Sequence, residues 1–359
     1  MSLEVDASLR AGVRAVLDTY PTVQLMEGPT PLQRLTHLGA DLGIELWLKR
    51  DDLSPLGLGG DKARKLEYEL ARAVEADADV IVTCGSAQSN HARLTTAAAR
   101  KLGLDVVLVL SNDDHAELQG NLLTVHLMGG EVVMAETDDH WDLERDMQAV
   151  GDRLLAEGRT PYFVPISGTT PHSCLGYVEG ALELIDQLVA RDLDPDVIYT
   201  PFGTGGIFTA YLLTMRTLGI ETELVGISVN RRVDECQEYL DQWWGALSEL
   251  MGSDPGLSRG RYTIDDGYVG REYGHATSEC LDAIVSMASR EGILLDPVYS
   301  GKVFAGILGH SADGRFTKDE TVVMLHSGGV PANFAYHSEI AAHLDKARRA
   351  DEGSRASGS

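Results

Sequence analysis

Short apolar runs alternate with stretches of helical spacing along most of the chain. IELWLKR (44–50), VIVTCG (80–85), VVLVL (106–110), EVVMA (131–135) and YFVPI (162–166) are too short for helices and carry many β-branched residues, which predicts strands. Between them, the spacing over Lys62–Ala76 puts Leu66, Leu70, Ala73 and Val74 on one helical face. The Ala-rich SAQSNHARLTTAAARKLGL predicts a helix that stops at Gly103, and 114–128 and 141–156 have helical composition. A second series follows: helix 176–190, strand VIYTPF (197–202), helix 206–218, strand ELVGISV (223–229), helix 276–291 and strand TVVMLHS (321–327). The mixed segment 230–275 reads as a helix plus a long loop near a cleft.

Strands that are apolar throughout, separated by helices, indicate parallel sheets covered on both faces. Two such series, with a break at SGTTPHSCL (167–175), predict an α/β chain of two lobes, each a mainly parallel sheet covered by helices. The closing DEGSRASGS reads as disordered.

Composition narrows the partners. The chain has 55 acidic and 30 basic residues, a formal net charge of −25, and only seven of the basic residues are Lys. Such a surface repels phosphodiester backbones and anionic lipid, so neither nucleic acid nor membrane is an expected partner. No apolar run approaches the ~18–20 residues of a membrane-spanning helix, and the first residues show no cationic start followed by an apolar core. The expected location is the cytoplasm. Cys84, Cys174, Cys236 and Cys280 lack metal-ligand spacing and read as reduced structural thiols, with no metal expected.

Three segments carry candidate chemistry. In GLGGDKARKLEY (57–68), Lys62 follows a Gly-Gly-Asp turn at a helix start. The positive end of the helix dipole disfavours an ammonium there, which suits an amine nucleophile or base, although the segment alone equally fits an exposed lysine in a first turn. In TCGSAQSNHAR (83–93), Ser86, Ser89 and Asn90 cluster where helix N-terminal amides point, an arrangement suited to a carboxylate. His91, taken alone, reads more simply as a hydrogen-bonded structural histidine. In TPFGTGGIFTAY (200–211), Gly203-Thr204-Gly205-Gly206 link a strand to a helix as a phosphate cradle. The segment lacks the dinucleotide fingerprint and the Walker lysine, so a monophosphate is favoured over ATP or NAD. A reactive lysine, a carboxylate turn and a monophosphate cradle together point to pyridoxal 5′-phosphate.

At this point the chain resembles a known family. LKRDD (48–52), GGDKARKLEY (59–68), GSAQSNHAR (85–93), GTGG (203–206), EGILLDPVYSGK (291–302) and HSGG (326–329) resemble the D-cysteine desulfhydrase and 1-aminocyclopropane-1-carboxylate deaminase group of fold-type II pyridoxal-phosphate enzymes, with the tryptophan synthase β-subunit-like fold. The resemblance runs from residue 28 to 336. It implies a large cofactor-binding domain of residues 1–65 plus 176–345, a small domain of 66–175, and a tail of 346–359 that is expected to be disordered. It implies Lys62 as the Schiff-base lysine, and Lys65 with Gly203, Thr204, Gly205 and Gly206 at the cofactor phosphate. Asn90 falls beside the cofactor ring. Ser89 would hold the substrate carboxylate, with Asn90, His91 and Tyr273 also on the substrate side, and Tyr273 and Tyr299 match two active-site tyrosines. A homodimer acting on a small amino acid is implied as well. Three positions depart from the family: Asp61 stands where Asn is usual, Ile207 where a hydroxyl residue is common, and His91 where Gln is also found.

Two further positions bear on the reaction. The deaminases carry Glu after the second tyrosine and Leu before the final Gly-Gly; here the residues are Ser300 and Ser327. A serine at the pyridine nitrogen cannot hold it protonated, which weakens the electron sink and favours expulsion of a good β-leaving group over cyclopropane opening. The expected reaction is therefore α,β-elimination, with D-cysteine giving pyruvate, sulfide and ammonia. Alternatives are an L-cysteate sulfo-lyase, a lyase for a specialised amino acid, the deaminase itself, a non-catalytic pyridoxal-phosphate-binding regulator, or an unrelated α/β protein binding a phosphorylated metabolite.

Overall fold

A computed structural model describes residues 5–140, 142–258 and 261–357, with side chains as far as Arg349. Its ten strands are β1 (Leu32–Arg34), β2 (Glu45–Arg50), β3 (Val80–Gly85), β4 (Asp105–Leu110), β5 (Glu131–Met134), β6 (Pro161–Phe163), β7 (Val197–Phe202), β8 (Glu223–Ser228), β9 (Tyr262–Asp265) and β10 (Thr321–His326). They form two sheets. One has six strands in the order β1-β2-β10-β7-β8-β9, and the other has four in the order β5-β4-β3-β6. Every pairing is parallel except β1 with β2. The four-stranded sheet draws all its strands from residues 80–163.

Both sheets are covered on both faces, and side-chain alternation within single strands shows it. In β10, Val323 and Leu325 pack with Phe202 and Phe208 on one side, while Val322 and Met324 pack with Tyr199 and Phe304 on the other. In β4, Val106, Leu108 and Leu110 face one core, and Val107 and Val109 face another. A strand buried on both faces must be apolar at successive positions, hence the unbroken runs in the sequence. Each fully buried Val, Leu or Ile contributes about 1.5–3 kcal/mol relative to exposure.

Several boundaries differ from the sequence reading. Segment 230–275 contains helix Val233–Met251 and also the edge strand β9. The helix expected at 176 begins at Pro171, where Thr170 caps Ser173 N–H and proline occupies the first turn. Val74 sits at the edge of its helical stripe, near the helix end, and is exposed. The last helix, His337–Ser357, continues through most of the 346–359 stretch expected to be disordered; residues 358 and 359 lie outside the described residues.

Two features aim the lysine helix, Lys62–Glu75. Helix Pro171–Ala190 crosses it at Gly176, where a Cβ would lie 2.2 Å from the Arg64 carbonyl oxygen, so only glycine permits this approach. Buried Arg64 donates to Asp51 at 2.8 Å and to Glu183 at 3.0 Å, and Lys49 ion-pairs with Glu183. This network ties the helix to the β2 end and to the crossing helix.

Candidate active site

Parallel sheets present their functional turns at the carboxyl ends of strands, and here β3, β7 and β10 contribute one such turn each. The turns line a single cavity of about 780 Å³, including its open mouth. Lys62, Lys65, Ser89, His91, Gly203, Thr204, Gly205, Gly206, Tyr273, Tyr299 and Ser327 all line it.

Lys62 is the first residue of its helix, after the Gly59-Gly60 turn. Gly59 has φ +76°, and a Cβ there would fall 1.7 Å from the Asp52 carbonyl oxygen, so the turn requires glycine. Lys62 Nζ lies 3.3 Å from Asp61 Oδ1 and 5.2 Å from the Tyr299 ring centroid. The Tyr299 and Tyr273 hydroxyls are 2.6 Å apart. Burial raises the Tyr273 phenol to about 12 and lifts Tyr299 well above the ordinary tyrosine range, helped by Tyr273 itself. Both phenols therefore hold their protons at neutral pH.

One turn of helix further on, Lys65 is 1% exposed. Its hydrogen bond goes to the Ser167 carbonyl. Burial, reinforced by the charge of Lys62, brings its ammonium down to about 7. The Gly203–Gly206 loop lines the same cavity, and Gly205, at φ +81°, starts helix Gly206–Thr217 with no side chain capping its amides. Thr204 Oγ1 sits 2.6 Å from Thr169 Oγ1. Buried Asn230 Oδ1 has no hydrogen-bond partner.

Ser89 caps helix Asn90–Lys101, with its hydroxyl oxygen accepting the Ala92 N–H at 3.1 Å. Its own proton stays available to a ligand. His91 is buried, with Nε2 at 3.0 Å from Thr83 Oγ1 and Nδ1 at 3.2 Å from Thr95 Oγ1. Burial and the two lysines push it well below the usual histidine range, so it reaches the cavity as a neutral, hydrogen-bonded ring.

Two candidates stand back from the wall. Asn90 Oδ1 accepts Asn121 Nδ2–H at 2.8 Å. Ser300 is fully buried; its hydroxyl donates to Asp296 Oδ1 at 2.5 Å and accepts the Asp296 N–H at 2.8 Å. Asp296 also accepts the N–H groups of Val298, Tyr299 and Ser300, which fixes the approach of Tyr299 to the cavity.

The sequence reading missed His140, Tyr177, Ser167, Thr169 and Asn230 on the wall. His140 packs on Tyr273 at 4.8 Å between ring centroids, and burial lowers it below the ordinary histidine value. Ser167 and Thr169 lie in the SGTT stretch, whose short polar side chains were a signal read only as a lobe break.

The wall suits an aldehyde bearing one phosphate. A buried lysine hydrogen-bonded to a backbone carbonyl, uncapped helix amides and a threonine hydroxyl together call for an anion, and a second lysine stands nearby to bond an aldehyde carbon. The chain belongs to the pyridoxal-phosphate dependent enzyme family, whose model matches residues 23–328. Within it, the chain is a lyase of the D-cysteine desulfhydrase and 1-aminocyclopropane-1-carboxylate deaminase group. It is 37% identical over 329 residues to the D-cysteine desulfhydrase of Serratia proteamaculans, covering 90% of this chain and 98% of that one. It is 36% identical over 328 residues to a putative 1-aminocyclopropane-1-carboxylate deaminase of Pyrococcus abyssi, covering 91% and 97%. The crystal structure of a deaminase homologue superposes with a TM-score of 0.84 at 35% identity, covering 92% of this chain and 99% of that one. Threonine deaminase isoform 2 of Solanum lycopersicum shares the fold, with a TM-score of 0.65 at 14% identity, covering 92% and 94%.

Among the described residues, no helix is long and apolar enough to cross a membrane, and no His, Cys, Asp and Glu group is placed to hold a metal.

Proposed function

We propose that this chain eliminates a good β-leaving group from a small amino acid, with D-cysteine giving pyruvate, sulfide and ammonia. The observation that carries this reading is the state of Ser300. Its proton is already donated to Asp296, so at this position neither a carboxyl group nor a free hydroxyl proton is offered to a ring nitrogen. Ser327 supplies a small neutral group on the wall itself.

Lys62 and Lys65 would hold the cofactor, Lys65 and the amides after Gly203 taking its phosphate. When bound, the pyridoxal group supplies a sink for the electrons left when the substrate's α-proton departs. Ser89 donates its hydroxyl proton to the substrate carboxylate. The Lys62 amine takes the α-proton, and the Tyr299–Tyr273 pair, protonated and 2.6 Å apart, can pass a proton along the wall. With no acid offered from Ser300, elimination would depend on the leaving group, so thiolate, sulfite or chloride should depart readily and hydroxide slowly.

The test is a pyruvate-release screen over both enantiomers of cysteine, serine, β-chloroalanine and cysteate. Preference for D-cysteine and β-chloro-D-alanine supports the reading, preference for L-cysteate redirects it to a sulfo-lyase, and no pyruvate from any of them refutes it.

The reading includes a homodimer. Exposed Leu58, Leu123 and Leu127 lie on segments that meet around Arg93, which bonds the Gly57 and Gly59 carbonyls and Asn121. Exposed Phe334 lies on helix Ala332–Ala335, which packs on helix Gly120–Leu127. An uncharged patch is what a strongly acidic chain needs for self-association.

A further inference from the structure

Asp61 occupies the N-cap position of the lysine helix, yet its side chain caps nothing. An aspartate there ordinarily accepts an amide of the first turn. This carboxylate is instead turned toward the lysine: Oδ1 lies 3.3 Å from Lys62 Nζ, and Oδ2 accepts the Tyr177 hydroxyl at 2.7 Å. The residue is 1% exposed, and its N–H donates to the Ser327 carbonyl at 3.0 Å, which ties it to the turn after β10. A carboxylate buried to this degree persists only with compensating partners.

The groups around the pair define its charge. Tyr177, from helix Pro171–Ala190, is held protonated by burial and by Asp61, so it donates without cancelling the charge. From helix Asn90–Lys101, His91 is neutral, and Arg93 stays cationic although burial brings it down to about 10. Lys65 lies on the lysine helix Lys62–Glu75 itself and Tyr299 across the cavity, the latter protonated. Among the described residues, Asp61 is the carboxylate that ion-pairs with Lys62.

We infer that Asp61 is the standing counter-charge of the Lys62 nitrogen: it aims the amine at Tyr299 and favours the protonated form of that nitrogen once the lysine carries the cofactor. This rests on Lys62 being the lysine that carries the cofactor. Asp61 acts through Lys62 and is a positioning residue.

The test follows the visible absorbance of the holoenzyme against pH, since lysine-bound pyridoxal phosphate changes colour when its nitrogen loses the proton. Asp61→Asn keeps the shape and removes the charge, and its midpoint should fall by about 1–3 pH units, the usual effect of an opposite charge at this range. Tyr177→Phe removes the donor that shares the carboxylate's charge and should raise the midpoint. A purely structural Asp61 would lower thermal stability and leave the midpoint unmoved; equal midpoints in wild type and Asp61→Asn overturn the inference. Should Asp61→Asn fail to yield folded holoenzyme, an unmoved midpoint in Tyr177→Phe overturns it. Lys62→Ala with the wild-type visible band would refute the cofactor-lysine assignment instead, so the two failures are distinguishable.

Discussion

The cavity contains two strand-to-helix junctions that treat their helix amides differently. After β3, Ser89 adopts an extended cap conformation (φ −63°, ψ 120°), and its hydroxyl takes up the Ala92 amide. After β7, Gly205 turns left-handed and caps nothing; the loop is held from its carbonyls, with Trp243 Nε1 donating to Thr204 at 2.7 Å and Arg231 to Gly203 at 3.1 Å. Securing a loop by its carbonyls leaves its N–H groups for an anion. The open junction, with Lys65 beside it, suits the phosphate of a resident cofactor. The capped junction has less free donor capacity and suits a carboxylate that enters and leaves with every turnover.

The largest effect should come from the residue serving both ligands. Lys62→Ala is expected to lower turnover by about 10²–10⁴-fold or more, the range of a positioned acid–base group, and to abolish the visible band of lysine-bound cofactor after reconstitution. Turnover near wild type would break the account of both junctions at once.

Paired substitutions separate the two junctions. Thr204→Ala should weaken cofactor retention in dialysis more than it slows turnover at saturating cofactor, because the cradle binds ground and transition states alike. Ser89→Ala should do the reverse: cofactor is retained, kcat/KM falls, and the lost cap costs about 1 kcal/mol in thermal unfolding. Equal cofactor loss in the two variants would erase the distinction.

A smaller effect concerns pH. Lys65 must be protonated to attract an anion, and in the cofactor-free chain burial brings it down to about 7. Sulfate, whose charge is constant across this range, should therefore bind the cofactor-free chain more weakly as pH rises through about 7. Calorimetry should show weak binding at every pH for Lys65→Met; a slope retained in that variant would assign the titration elsewhere.

The sequence exposed this architecture unevenly, for physical reasons. VIVTCG and TVVMLHS were legible because a strand buried on both faces has to be apolar throughout. β9 escaped because Tyr262–Asp265 is half-buried at a sheet edge and mixed in composition, and β1 is only three residues long. The polar composition of 346–359 suggested disorder, yet helix His337–Ser357 runs through most of it. Among functional groups, Lys62, the Gly203–Gly206 loop and Tyr299 sit in local motifs whose spacing carries meaning. Tyr177, His140 and Asn230 reach the wall through packing of segments distant in sequence, which no local pattern records. Asp61 was visible only as a departure from the family; its bonds to Lys62 and Tyr177 required the fold.

The most direct test of the proposed chemistry gives the reconstituted enzyme D-cysteine and 1-aminocyclopropane-1-carboxylate in parallel and measures both 2-oxo acids. The engaged Ser300 proton and small Ser327 predict pyruvate from D-cysteine and no 2-oxobutyrate from the cyclopropane substrate. The double variant Ser300→Glu, Ser327→Leu should lose elimination activity. Efficient release of 2-oxobutyrate by the unmodified enzyme would contradict the account.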